Sequence, residues 1–132
     1  MEVIARARYI RMSPRKVRLV ADLVRGLSIL RADTELRFLR RAAALPVRKA
    51  IASAAANAVH NNKLSRDRLF IKAITVDQGP SLRRFRARAF GRAAPIRKRS
   101  CHITVVVAER VEVAPAGKSA ASVVGDKARA KS

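Results

Sequence analysis

Residues 79–100 carry eight cations, Arg83, Arg84, Arg86, Arg88, Arg92, Arg97, Lys98 and Arg99, and not one acid. Such a stretch cannot enter a core, because an unpaired buried charge is prohibitively costly. A structureless loop of this length is uncommon inside a small domain and is usually functional or disordered. Apolar, β-branched runs flank it on both sides, so the chain must leave the domain and return. As an extended hairpin turning near Gly91, each arm has about ten residues and the tip stands roughly 30 Å from the sheet. An isolated two-stranded ribbon is marginal in water, and like charges weaken it further. Phosphates along both sides would remove that weakness. Arg83 with Arg97, and Arg86 with Arg99, would then meet different RNA strands, with Leu82, Phe85, Phe90 and Ile96 as apolar or stacking contacts. Charge alone leaves a second reading open, a loose basic loop that binds any polyanion.

The rest of the chain shares the excess of positive charge. Lys and Arg number 30 against 9 acids, a formal charge of +21 on 132 residues. Self-repulsion at that density opposes compaction, so an anionic partner is expected, either nucleic acid or an anionic membrane. Most of the cations are Arg, which forks onto phosphate and stacks on bases, and this favours nucleic acid. Hydrophobic residues make up 49 %, too many for a wholly disordered basic chain and enough for one modest core. Cys101 is the single cysteine, compatible with a reducing compartment. No apolar run approaches the roughly 18 residues of a membrane span. The opening residues Met1 to Arg6 lack a signal-peptide apolar region, and the expected location is the cytosol.

Around the basic segment the periodicity predicts an α+β domain with helices on one face of a small, mostly antiparallel sheet. Residues 3–10 alternate Val3, Ala5, Ala7 and Tyr9 against Ile4, Arg6, Arg8 and Ile10, a strand with one basic face. Ser13-Pro14 opens a helix; Val17, Val20, Ala21 and Val24 form its buried stripe, and Gly26 ends it. Its first turn carries Arg15, Lys16 and Arg18 where the helix dipole prefers acids. That points to a phosphate partner, although three solvated charges would cost only some tenths of a kcal/mol each. A second helix is expected from about Ser28 to Leu39, with Ile29, Ala32, Leu36 and Leu39 as its stripe and an Asp33–Arg37 pair at i, i+4. A third runs roughly from Ala42 to Asn61, its regular part starting near Pro46. Its run from Ile51 to Ala58 suits either close approach to a neighbour or simple helix propensity. Arg68 to Val76 reads as a strand. So does His102 to Val107, with Ile103, Val105 and Val107 on one face. Residues 112–132 lose all periodicity and are expected to be a disordered basic tail.

The residues that catalysis needs are scarce. Cys101 and His102 are neighbours in a strand and point to opposite faces, so they cannot form a nucleophile–base pair. His60, His102 and one Cys have no standard zinc spacing. Neither phosphate-binding glycine motif occurs. The expectation is a non-enzyme with no metal and no cofactor, in which His60 and His102 hydrogen-bond at the surface, RNA included.

Three stretches, in order, carry a resemblance. They are Ser13-Pro14-Arg15-Lys16-Val17-Arg18-Leu19-Val20-Ala21-Asp22-Leu23-Val24-Arg25-Gly26, then Ser53 to Asn61, then Asp77-Gln78-Gly79-Pro80 with Arg88-Ala89-Phe90-Gly91-Arg92-Ala93, Ile96-Arg97-Lys98-Arg99 and His102-Ile103-Thr104-Val105-Val106-Val107. Together they resemble the universal large-subunit ribosomal protein twenty-two family of the bacterial type, over about residues 2–111. The third stretch is the most specific, since it sets the order and spacing of several short motifs at once.

The resemblance implies a three-stranded sheet packed on three helices, with a long basic β-hairpin at 79–100. It implies a structural protein of the large ribosomal subunit that binds several domains of its RNA, acts in assembly, and neighbours other large-subunit proteins. It is not expected to pair with a second copy of itself or with a membrane. The hairpin tip, Gly91-Arg92-Ala93, would line the nascent-peptide tunnel and meet the nascent polypeptide. RNA contacts are then expected from Arg6, Arg8, Arg11, Arg15, Lys16, Arg18, Asn57, His60, Asn61 and His102, and from the eight hairpin cations. The chain departs from the family pattern at Val59, where Glu is frequent, at Asp33, where an apolar residue is usual, and at Pro46 inside a helix.

Two other classes share the charge. A basic DNA-binding protein has the same phosphate attraction, but a groove reader wants a recognition helix or wedge, and the longest basic element here is a ribbon. A membrane-active protein wants a basic amphipathic helix with bulky apolar residues, whereas these helices carry Ala and Val stripes sized for a core.

Overall fold

The structure, a computed structural model, describes residues 1–110; the tail expected at 112–132 lies outside the described residues. Strand β1 (Glu2–Ile10) leads into helices α1 (Pro14–Val24), α2 (Ile29–Phe38) and α3 (Ala44–Asn62). A 3-10 turn at Arg66–Arg68 precedes strands β2 (Leu69–Gln78), β3 (Leu82–Ala87), β4 (Ala93–Lys98) and β5 (Cys101–Glu109). The fold is α+β with two antiparallel sheets: three strands in the order β1-β5-β2, and the pair β3-β4.

The central strand shows why the core sits where it does. Alternation along β5 puts Cys101, Ile103, Val105 and Val107 on one face, all fully buried. α3 covers β1 and β5, α1 covers β2, and α2 packs on α3. Ala54, Ala55 and Ala58 of α3 are buried, and their short side chains let the helix backbone approach the sheet. In α1 the stripe Val17, Val20, Ala21 and Val24 is buried to within 1 % of full burial. Each of the three valines stabilises by roughly 1.5–3 kcal/mol, and the single methyl of Ala21 by less. Pro14 takes the first helical position, where its missing N–H costs nothing. Gly26 follows α1 at φ +79, the left-handed conformation that glycine adopts most easily. Pro46 is the third residue of α3, still among the N–H groups that have no partner within a helix. The family-pattern departure there is therefore absorbed by position.

Three local expectations need correction. Tyr9 does not follow Val3 and Ala5 into the core. Between Ala7 and Ile10 the β1–β5 register gains one residue, and Tyr9 takes φ +57. This bulge turns Tyr9 outward and Ile10 inward. Asp33 does not pair with Arg37. Its carboxylate accepts a hydrogen bond from Nε of Arg48 on α3 at 2.6 Å, because it stands on the side of α2 that faces α3. The hydrogen bond from Arg48 holds the Asp33 carboxyl below its ordinary value. Ser13 occupies the N-cap position of α1 without a side-chain capping bond.

Candidate nucleic-acid interface

Among the described residues, β3 and β4 form a ribbon that no helix covers. The ladder runs from Leu82 opposite Lys98 to Ala87 opposite Ala93. Each arm is six residues long, about 20 Å of strand, shorter than the ten expected from the spacing of Gly79 and Gly91. The difference lies at the two ends, where Gly79 to Ser81 and Ser100 serve as the root and residues 88–92 as the turn. All six residues of β3 are exposed. In a strand, alternate residues share a face. Leu82, Arg84, Arg86, Ala94, Ile96 and Lys98 therefore share one face, and Arg83, Phe85, Ala87, Ala93, Pro95 and Arg97 the other. Arg83 lies directly opposite Arg97, a like-charge pair that weakens an isolated ribbon. These two share a face rather than opposing sides, Arg86 is on the other, and Arg99 lies beyond the paired strands. Cations thus flank the ribbon on both faces, and no residue between 79 and 100 is acidic.

The root is tightly built. Gly79 N–H donates to the Ser100 carbonyl at 2.9 Å, and Ser100 Oγ donates to the Pro80 carbonyl at 2.5 Å. A Cβ on Gly79 would lie 2.6 Å from Ser100 Oγ and 3.1 Å from His102 Nε2. Only glycine fits without displacing the clasp. At the tip, Arg88 N–H donates to the Arg92 carbonyl at 2.8 Å, and Phe90 and Gly91 take φ +59 and +66. Phe90 is 92 % exposed, an apolar ring presented at the far end.

The structure gathers the other expected residues into two hollows. A cleft of about 790 Å³ at the ribbon root is lined by cations from four places: Arg11 before α1, Lys16 on α1, Arg84 on β3, and Arg97, Lys98 and Arg99 in and after β4. No acid lines it. Tyr9, Met12 and Leu82 supply apolar wall. A second hollow, about 360 Å³, lies on the sheet face that the helices leave open and is lined by Arg6, Arg8, Asp77, His102 and Thr104, again with Tyr9. His102 Nδ1 accepts the Tyr9 N–H at 3.0 Å, so its Nε2 carries the proton when the ring is neutral.

Other residues stand apart. Arg15 is exposed on α1. Arg18 is exposed too, but its guanidinium donates to the Val76 carbonyl from Nε at 3.1 Å and Nη2 at 2.9 Å. It ties α1 to the edge of β2, a role the run of charges did not reveal. Asn57 is half-buried near the end of α3, with His60 and Asn61 exposed. None of the three lines either hollow; His60 shares a shallow depression with Val59 and Arg66. Arg88 and Arg92 are at the ribbon tip. Tyr9 is the residue that sequence reasoning underrates: alternation groups it with Val3, Ala5 and Ala7, away from the basic face, and gives it no part in the interface. A tyrosine on a face otherwise made of Val and Ala is the available signal.

Among the described residues, no group of His, Cys, Asp and Glu could hold a metal ion, and no helix is long and apolar enough to cross a membrane. Cys101 is buried, and burial pushes its thiol above the ordinary value. That shift disfavours the thiolate, the form in which a cysteine acts as a nucleophile.

Comparison with known proteins adds to this geometry. The model of the family described as ribosomal protein L22p/L17e matches residues 5–108. The chain is 54 % identical over 104 residues to the large ribosomal subunit protein uL22 of Deinococcus radiodurans, covering 79 % of this chain and 78 % of the relative. It is 54 % identical over 112 residues to the protein of the same name from Pelotomaculum thermopropionicum, covering 85 % and 99 %. To that of Thermus thermophilus it is 53 % identical over 110 residues, covering 83 % and 97 %.

Proposed function

The chain belongs to the ribosomal protein L22p/L17e family, and from that premise we propose that it binds large-subunit ribosomal RNA through the β3–β4 ribbon and the basic surface around its root. Membership makes it a structural constituent of the large ribosomal subunit and not an enzyme, at work in the cytoplasmic ribosome. The observation that carries the RNA reading is the ribbon itself. It has cations on both faces, no acid, and every residue of β3 exposed. Such a ribbon gains stability when phosphates line both sides, and a folded RNA supplies phosphates that converge from more than one strand.

In this reading, Arg83, Arg84, Arg86, Arg88, Arg97, Lys98 and Arg99 neutralise converging backbones and so hold RNA segments together during assembly. Arg6, Arg8, Arg11, Arg15, Lys16 and His102 continue the contact onto the domain, and Asn57, His60 and Asn61 make a separate one at the end of α3. Gly91, Arg92 and Ala93 reach the tunnel and face the nascent polypeptide. Residues 1–111 act as one RNA-binding domain with 112–132 as a basic tail; neighbouring large-subunit proteins complete the surroundings, and the chain enters as a single copy.

Sedimentation of the tagged full chain from cells, followed by a high-salt wash, tests the reading. It should remain with the large subunit. Release into the free fraction would contradict it, and preference for equal-length duplex DNA over structured ribosomal RNA at moderate salt would put a DNA-binding role in its place.

A further inference from the structure

Tyr9 is an anomaly in this fold. A bulky residue at positive φ is a genuine outlier, and such strain persists only where the surroundings hold it. Here they do. The bulge between Ala7 and Ile10 re-aims the residue, its N–H donates to His102 Nδ1 at 3.0 Å, and its ring meets the His102 ring edge-on with centroids 4.9 Å apart. Glycine or asparagine would adopt φ +57 with less strain. What a tyrosine adds is a ring, and the residue is left 66 % exposed.

Tyr9 lines the root cleft together with Lys16, Arg84, Arg97 and Arg99, with Met12 and Leu82 as the apolar wall. Cations around an apolar wall with an aromatic ring at its edge match one ligand chemistry: a nucleotide whose base stacks while its phosphates are held outside. A cleft of about 790 Å³ has room for it. Resting on the reading that this chain binds ribosomal RNA, we propose that Tyr9 is the stacking platform for one unpaired nucleotide of that RNA, seated in the cleft between the domain and the ribbon root. Lys16, Arg84, Arg97 and Arg99 bind the flanking phosphates. The same nucleotide packs the ribbon against the domain and so sets the direction in which the ribbon projects.

The chain has one Tyr and no Trp, so tyrosine emission reports on residue 9 alone. The probe is transcribed large-subunit ribosomal RNA, titrated into the full chain while the emission lifetime and filter retention are followed together. The lifetime should shorten in step with the bound fraction. Tyr9→Phe should bind within about twofold of the wild type, because the ring is kept. Tyr9→Gly relieves the backbone and removes the ring; it should hold its thermal midpoint and its salt dependence yet bind about tenfold more weakly or worse. Retention with an unchanged lifetime, or Tyr9→Gly binding as tightly as wild type, would overturn the stacking role and leave the RNA reading standing. No retention at any salt would overturn the RNA reading and this proposal with it. Should Tyr9→Gly fail to fold, the lifetime of the wild-type chain still decides.

Discussion

β5 and β3 are both antiparallel strands, separated by 13 residues of chain, yet they are held in place by different forces. β5 lies between two partners and buries Cys101, Ile103, Val105 and Val107 completely. β3 has one partner, buries nothing, and sets Arg83 against Arg97. The first is stabilised by apolar area removed from water. The second has its backbone ladder and little else, which is marginal without help. The domain is therefore expected to fold on its own, and the ribbon to stiffen when an anionic partner lines it. The clasp at Gly79, Pro80 and Ser100 joins the two regimes.

The contrast can be broken most severely from the domain side. Ile103→Ala, which opens a cavity under the central strand, should lower stability by about 2–5 kcal/mol in a denaturant titration, whereas Phe85→Ala in the ribbon should leave the midpoint where it was. Equal losses would mean that the ribbon shares the core's cooperativity. From the ribbon side, replacing Arg84, Arg88, Arg97 and Arg99 together by Gln should leave the thermal midpoint of the free chain unchanged or slightly higher. The same variant should weaken RNA binding and flatten its salt dependence by about one slope unit for each phosphate it no longer neutralises. An unchanged slope would remove these residues from the interface.

The clasp offers a gentler perturbation. Gly79→Ala drives a Cβ against Ser100 Oγ and breaks its bond to Pro80; a loss of about 1–2 kcal/mol is expected, with partial recovery in the double variant that also carries Ser100→Ala. No recovery would place the strain elsewhere. The smallest effect concerns Asp33. Its folded pKa is lowered, chiefly by the Arg48 hydrogen bond, so the stabilisation it contributes is present above the ordinary carboxylate value of 3.8 and is lost as pH falls through the lowered one. The thermal midpoint of Asp33→Asn should lie slightly below wild type at neutral pH and converge with it in acid. A gap that persists undiminished in acid would mean that Arg48 is not the cause.

Much of the domain was legible because its signals are local. Period-two alternation marked His102 to Val107, i, i+3, i+4 spacing marked α1, and Ser13-Pro14 with Gly26 bounded it. The ribbon was legible from a negative signal, a stretch too charged to be buried. What escaped depends on pairings distant in sequence. The bulge at Tyr9 is set by how β1 meets β5, 93 residues away at the His102 bond. The Asp33 partner lies on another helix, and an i, i+4 rule cannot see it. Arg18 looked like one of three phosphate ligands, but its bond to Val76 spans 58 residues. Of the candidate site, the residue types could be read from the chain; which of them share a cleft could not, because that depends on where the ribbon root meets the start of α1.

The domain should be stiff by itself, and the ribbon should become so only on RNA. Amide hydrogen exchange of the full chain, free and bound to transcribed large-subunit ribosomal RNA, measures this directly. β5 should be strongly protected in both states, whereas residues 82–98 should be weakly protected in the free chain and gain protection by orders of magnitude on binding. A ribbon already as protected as β5 in the free chain, or one still unprotected in the complex, would contradict it.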